Sequence, residues 1–355
     1  MLRAHVTIPA STANLGPGFD CLGLALELHN IVELTALDSG LEVTIEGEGA
    51  AWLPRDGANL VARAADHLWL QAGRRPAGFR LRITNQIPPG MGLGSSAAAI
   101  LGGLVAANAL IGEPFSRQEI LRLAYRLEGH ADNAAVALYG GLVVVSTDGD
   151  EVLVDTIDVP PLRVALAMPG VRLSTRAARA ALPAQVPLGD ATFNIGRALF
   201  VARALQSGDY DRLARAMVDR LHEPYRRPLI PGFDAAKQAA REAGAAAVSL
   251  SGAWPSMAAF APRGHAEIAE AMKAAFEANG VKCRTLVLAA DRKGLEYETT
   301  GSDPLIHDYR NLQRDHPTTR PRDHPTTRQR PTRAPAAPSA LRPRRMLPAS
   351  NGTSG

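Results

Sequence analysis

Three glycines at alternate positions, then two serines and a run of small apolar residues, constrain this 355-residue chain more than any other feature. The stretch reads Ile87-Pro88-Pro89-Gly90-Met91-Gly92-Leu93-Gly94-Ser95-Ser96-Ala97-Ala98-Ala99. Before it, the alternation Phe79-Arg80-Leu81-Arg82-Ile83-Thr84 predicts a strand. After it, Ala97 to Leu110 predicts a buried helix. Glycine lets the backbone approach a ligand and adopt positive φ. Serines at a helix start bring hydroxyls and unpaired N–H groups to one point, which suits an anion and above all a polyphosphate. The stretch is not a Walker loop, since no lysine follows Gly94. Nor is it the dinucleotide fingerprint, whose third glycine comes three residues after the second. The competing reading is a glycine turn that merely lets a helix pack closely.

The length implies about two domains, and 46% hydrophobic residues suffice for a core. No apolar run approaches the roughly 18 residues that span a bilayer. The N-terminus, Met1 to Ile8, reads as a strand and lacks the apolar core of a secretion signal. Cys21 and Cys283 are far apart and show no metal spacing, so a cytoplasmic location is expected. The net charge of +4 belongs to the tail. Residues 301–355 hold ten arginines against four aspartates, leaving 1–300 slightly acidic, about −2. The body therefore gives no reason to expect nucleic acid or a membrane as partner. Nine of the 26 prolines also lie beyond residue 300, with the near-repeats Arg314–Arg320 and Arg322–Arg328. Such a segment cannot bury enough surface to offset ordering. The expected organisation is residues 1–158, 159–298 and a disordered Pro/Arg-rich tail from 299.

Within the body, strands are expected at 41–45, 142–146, 162–168, 247–251, 257–262 and 283–289. Helices are expected at 59–71, 117–126, 193–207, 210–220, 230–243 and 266–279. A short apolar helical piece is expected after Asp20. The mixture, with few long parallel crossovers, points to an α+β fold. Four further segments carry chemistry. Pro9 to Asp20 offers Asn14, a donor and acceptor, and the acceptor Asp20, a pair suited to an amino and a hydroxyl group; Asx turns are the alternative. Glu128-Gly129-His130-Ala131-Asp132-Asn133 could supply a carboxylate to Mg²⁺ beside a serine and phosphates, or simply cap a helix. Arg179 and Arg226 suit a carboxylate or phosphate. Val248 to Ser256 is a strand running into a glycine turn.

Together these segments resemble the GHMP small-molecule kinases, through Pro-x-x-x-x-Asn-Leu-Gly at 9–16, Pro-x-x-x-Gly-Leu-Gly-Ser-Ser-Ala at 88–97 and Ser-Gly-Ala-x-Pro-Ser at 251–256. Asn14 to Asp20, Glu-Gly-His-x-Asp-Asn, Thr175-x-x-x-Arg179 and Glu223-Pro224-Tyr225-Arg226 are most similar to the homoserine kinases of that family. The likeness covers residues 1 to about 298. It implies a two-domain α+β fold, an N-terminal unit like the second domain of ribosomal protein S5 and a ferredoxin-like C-terminal unit. It implies ATP and Mg²⁺, with L-homoserine phosphorylated on its hydroxyl on the way to threonine, and it is compatible with a homodimer. By the resemblance, ATP lies against Pro89, Gly90, Met91, Gly92, Leu93, Gly94, Ser95, Ser96 and Ala97, with Asn59 near adenine. Ser96 and Glu128 hold the metal. Asn14, Asp20, His130, Asn133, Arg179 and Arg226 surround homoserine. Thr175 lies by the reacting hydroxyl. Asp20, Thr175 and Arg179 are the catalytic candidates, Asp20 or Thr175 being the candidates for a base.

The chain departs from the family pattern at Trp254, where a glycine is usual, and at Ala131 and Val136, where prolines are common. Losing the proline at 136 is expected to soften that loop. The alternatives are another GHMP kinase acting on a different small alcohol, or a ligand-binding homologue impaired by Trp254.

Overall fold

The computed structural model describes residues 2–171, 175–253, 255–301 and 306–308, the last three and residues 175–176 by backbone alone. The chain opens as β1 (Arg3–Ala13), antiparallel to the long β2 (Leu22–Leu37), followed by β3 (Gly40–Gly47). Then come α1 (Leu60–Ala72), β4 (Arg74–Pro76), β5 (Gly78–Asn85), α2 (Ser95–Leu110), α3 (Arg117–Glu128), α4 (Asp132–Tyr139) and the hairpin β6 (Leu142–Asp148) and β7 (Glu151–Ile157). The second half runs β8 (Arg163–Pro169), α5 (Thr175–Ala180), α6 (Leu188–Ser207), α7 (Tyr210–Ala216), α8 (Glu223–Arg226) and α9 (Phe233–Glu242). It ends with β9 (Ala247–Leu250), β10 (Met257–Phe260), α10 (His265–Ala278), β11 (Cys283–Ala289), β12 (Glu296–Thr300) and β13 (Ile306–Asp308).

The larger sheet has the order β12-β1-β2-β5-β3, with β6 also on β2 and β7 on β6. The second sheet, β11-β8-β10-β9, is antiparallel throughout. Sheets and helices form the expected α+β arrangement. Alternation along β8 makes its two faces: Val164, Leu166 and Met168 join the main core, while Ala165 and Ala167 meet Phe233, Met272 and Phe276 of the second core, on α9 and α10.

The helix that carries the glycine loop, α2, is buried almost all round. Gly102 faces β2, where an added Cβ would stand 2.6 Å from Val32 Cγ2. Gly103 faces α1, where a Cβ would stand 2.3 Å from the Val61 carbonyl oxygen. Two small residues thus let one helix close against a sheet and a second helix at once. Trp69 of α1 completes the contact by donating its indole N–H to Ala107 O at 3.1 Å.

Three expectations change. The segment after Asp20 is β2, not a helical piece, and its Leu22 to Leu26 are all buried. Such a run is a strand buried on both faces, which periodicity cannot separate from a helix. The helix expected to reach 220 ends at Ala216. The boundary at 298 also moves, because β12 pairs with β1 through Arg3↔Thr300, and Ile306 pairs with Pro76. That return strand means the larger sheet draws on both ends of the body. Residues 309–355, with the expected tail repeat, lie outside the described residues. No helix among the described residues is long and apolar enough to cross a membrane.

Candidate active site

Gly90, Gly92 and Gly94 have φ of 74°, 68° and 72°, the left-handed region that glycine enters without strain. Gly94 ends the loop as the N-cap of α2, and no side chain caps this helix. An added Cβ at Gly94 would stand 2.0 Å from Ser11 Oγ. The close fit comes from three distant segments sewn together. Ser11 N–H donates to Leu93 O (3.1 Å), and Ser11 Oγ–H donates to Asn133 Oδ1 (2.9 Å). Ser251 Oγ lies 2.7 Å from Gly92 O and 2.9 Å from Thr12 Oγ1. Gly252 N–H donates to Ala13 O at 3.0 Å. The start of α2 opens into a cavity of about 290 Å³ whose walls include Gly92, Ser95, Ser96, Glu128 and His130. A second, more apolar cavity of about 240 Å³ shares Gly90, Ser95 and Ser96 and extends past Asn59, Leu60 and Val61. The pair suits a polyphosphate joined to a flat base.

Opposite the loop, Glu128 ends α3, where the helix dipole disfavours a carboxylate. Its Oε2 is fully buried and has no hydrogen-bond partner. Burial pushes its pKa up to about 7, against the pull of His130 and a hydrogen bond from Ser96. A buried carboxylate oxygen without a partner, beside a serine hydroxyl and a cavity fit for phosphates, fits Mg²⁺, which takes few protein oxygens and keeps its waters. Among the described residues no group of three His, Cys, Asp or Glu forms a closed metal cage. His130 Nδ1 lies 2.9 Å from Asp132 Oδ1. Burial opposes charge on the imidazole, but the Asp132 hydrogen bond and charge outweigh it and raise its pKa. Asp132 is itself buried, yet His130 and the Asn133 N–H hold its carboxyl below the usual range.

A second cluster is built on the loop between β1 and β2 and on the α5–α8 region. Arg179 clamps Asp20 with two bonds, Nη1 to Oδ2 (2.8 Å) and Nη2 to Oδ1 (2.9 Å). Arg226 is 1% exposed and donates from Nε to Ala178 O (3.3 Å) and from Nη1 to His222 Nδ1 (3.2 Å). Its Nη2 is buried with no partner. Burial and the nearby Arg179 bring this guanidinium down to about 10. Both arginines lie over the Phe19 ring, at 5.7 and 5.1 Å from its centroid. Arg179 in turn feels Asp132 and Glu128, which ties this cluster to the phosphate cavity.

The structure thus brings together the loop, Ser96, Glu128, His130, Asp20, Arg179 and Arg226. The asparagines behave differently. Asn14 (φ 74°) donates from Nδ2 to Gly252 O (2.8 Å) and accepts the Asp20 N–H at Oδ1 (2.9 Å), so it closes its own loop. Asn59 caps α1 through the Val61 N–H and donates to Pro54 O. Asn133 lines the cavity, but its amide bonds to Ser11 and Asp132. The amides of these three residues, expected at ligands, also bond to the protein around them, and Asn59 and Asn133 line the two cavities. Each carboxylate oxygen of Asp20 accepts one of the two Arg179 bonds. Thr175 starts α5, but its side chain lies outside the described residues, as does Trp254. Val136 lies within helix α4 with its side chain in the core, so the softened loop expected there is a buried helix. Phe19, His222 and Asp219 escaped the sequence reading. Their only signal was proximity to Asp20 and Arg226 in sequence.

A loop of backbone amides facing a cation-ready carboxylate, with a guanidinium cluster alongside, defines a phosphotransferase site. Family models for the GHMP kinases N terminal domain and the GHMP kinases C terminal match residues 59–141 and 201–278. The chain is 46% identical to a homoserine kinase of Moorella thermoacetica over 290 residues, 81% of this chain and 98% of that one. A solved homoserine kinase from Cytophaga hutchinsonii superposes with a TM-score of 0.75 at 33% identity, covering 83% of this chain and 97% of that one. A solved L. major mevalonate kinase, 16% identical with a TM-score of 0.59 over 82% of this chain and 96% of that one, shares the fold. The chain belongs to the GHMP kinase family and is a kinase.

Proposed function

We propose that this protein transfers the γ-phosphoryl group of ATP to the side-chain hydroxyl of L-homoserine, giving O-phospho-L-homoserine for threonine synthesis. Phosphoryl transfer through a loose transition state asks the protein chiefly to align the two substrates and offset charge. The N–H groups of Gly92 to Ser96 cradle the triphosphate, and the apolar cavity by Leu60 and Val61 takes the base. Ser96 and Glu128 are the residues to hold Mg²⁺. The metal would offset charge on the phosphate oxygens. His130, whose pKa Asp132 raises against the effect of burial, lines the same wall. Asp20, held by Arg179, presents negative charge for the substrate's ammonium group. No residue is assigned as base, since a positioning mechanism does not require one.

The observation that carries the substrate assignment is Arg226 Nη2, a buried cationic donor with no protein acceptor. Leaving such a donor unpaired is costly, and a carboxylate supplies what it lacks. A neutral sugar or simple alcohol has no carboxylate to offer. A coupled ADP-release assay across L-homoserine, mevalonate, shikimate and galactose tests the reading. Homoserine is expected to exceed the others in kcat/KM by at least about a hundredfold. Equal rates, or a preference for another alcohol, would overturn it.

A further inference from the structure

Arg226 is held in place by a buried histidine to which no role has so far been given. His222 is 0% exposed and stacks on Phe19, with centroids 5.2 Å apart and planes at 26°. Its Nε2 lies 2.8 Å from the carbonyl oxygen of Gly16. A carbonyl only accepts, so the ring proton sits on Nε2. Its Nδ1 lies 3.2 Å from Arg226 Nη1. A guanidinium only donates, so Nδ1 is a bare acceptor. The two contacts together require the neutral ring in one tautomer. The backbone around it is equally fixed. Asp219 Oδ2 accepts the N–H groups of His222 (2.8 Å) and Glu223 (2.6 Å), and Asn194 Nδ2 donates to Asp219 Oδ1 (2.6 Å).

We propose that His222 is a positioning residue of the phosphoryl-acceptor site: neutral and protonated on Nε2, it ties the Gly16 loop to Arg226 and aims the unpaired Arg226 Nη2 at the substrate carboxylate. The inference rests on the homoserine reading for the identity of that carboxylate, but the ring's protonation state does not. Asp219, whose carboxylate is 3.7 Å from Nε2, and Glu223 favour charge on the ring; burial and Arg226 oppose it. The balance lowers the His222 pKa, as the tautomer requires. A protonated ring would turn a second donor toward Arg226 and push Nη1 away. His222 is thus the one part of the cluster whose charge must stay off for Arg226 to stay put.

Two measurements test this. The first is ¹⁵N NMR of histidine-labelled protein without substrate at pH 7, with the His222 signals assigned by their loss in His222→Phe. The expected result is one protonated nitrogen, Nε2, and one bare nitrogen, Nδ1. Two protonated nitrogens, or a proton on Nδ1, would overturn the proposal whatever the substrate is. The second is kinetic. His222→Phe keeps the stack on Phe19 but loses both hydrogen bonds. It should raise KM for homoserine on the order of tenfold or more, with kcat and the KM for ATP changed less than about threefold. His222→Asn places an amide oxygen near the Nδ1 position and should recover much of that loss. In an Arg226→Ala background, His222→Phe should add nothing further to KM. A merely structural histidine would lower the melting temperature in both variants alike, with no selective KM change and additive effects in the double variant. If the unaltered protein does not turn over homoserine, the functional reading falls, and the NMR result alone decides the role of the histidine.

Discussion

The phosphate side and the acceptor side of this site are built from opposite materials. Around Gly92 and Gly94 the parts are small: Ser11, Thr12, Ser251 and Gly252 tie the segments together through backbone groups and short hydroxyls, and shape does the positioning. Around Phe19 the parts are long and charged: Asp20, Arg179 and Arg226, oriented by ion pairs, stacking and one histidine. A polyphosphate is the same in every kinase and can be met by a fixed cradle of N–H groups. An acceptor alcohol differs from kinase to kinase and must be read by charge and hydrogen bonds that only the right substrate completes. The first side should therefore fail through added volume, the second through lost charge.

The largest effect is expected where shape is most exacting. Gly94→Ala forces a residue with φ near 72° into the left-handed region and drives a Cβ to 2.0 Å from Ser11 Oγ. Strain and overpacking together should cost up to about 5 kcal/mol and remove ATP binding. Thermal melting and nucleotide titration check it; a variant that melts and binds as the parent does would show that the cradle is not shape-limited. Next comes charge on the same side without a shape change. Glu128→Gln should lower kcat by about a hundredfold or more, with melting temperature kept or raised, because a buried carboxylate oxygen without a partner is itself a cost. Mg²⁺ titration of parent and variant checks it, since a shift of activation to higher Mg²⁺ is expected only if this oxygen holds the metal.

On the acceptor side, Arg226→Ala should raise the homoserine KM by tens of fold or more and leave the ATP KM within about threefold. Arg179→Ala should act less directly, through the Asp20 carboxylate it orients, and its partner is about one-third exposed. Steady-state kinetics in both substrates checks the order; a larger ATP than homoserine effect for Arg226 would move it to the phosphates. The smallest effect is expected outside both regions. Asp291 accepts the N–H groups of Lys293 and Gly294 and faces His29 Nε2 at 2.8 Å. Burial would raise its pKa, but these partners lower it below the ordinary 3.8. Its stabilisation is therefore present above that ordinary value and lost as pH falls through the lower folded value. Asp291→Asn should cost about 1 kcal/mol at pH 7, narrow its gap to the parent as the medium is acidified below pH 4, and leave turnover unchanged. Melting curves from pH 7 to 3 check the sign.

The same contrast explains what the sequence revealed. The loop from Gly90 to Ser96 was legible because cradle and helix start are contiguous, and glycine spacing is a local property. The strand β5 followed from its alternation, and the helix α2 from its long run of small apolar residues. The acceptor side was only half legible. Arg179 and Arg226 stood out as cations, but Asp20 meeting Arg179 is a contact across 159 residues that no local pattern encodes. His222 lies outside every motif and Phe19 sits in one only as an unassigned apolar residue; what makes them matter is that they stack on each other. Asn14 stood out by its polarity, but its bond to Gly252, 238 residues away, is again a contact that no local pattern encodes. The strand β2 was misread because an apolar run buried on both faces has no period to read.

The most direct measurement compares L-homoserine with 3-aminopropan-1-ol, the same alcohol and amine without the carboxylate. If the acceptor side works through the buried, unpaired nitrogen of Arg226, removing the carboxylate should lower kcat/KM by about a hundredfold or more, and Arg226→Ala should erase most of that difference. Equal turnover of the two alcohols by the unaltered protein, or a preference for homoserine that survives Arg226→Ala intact, would contradict the account.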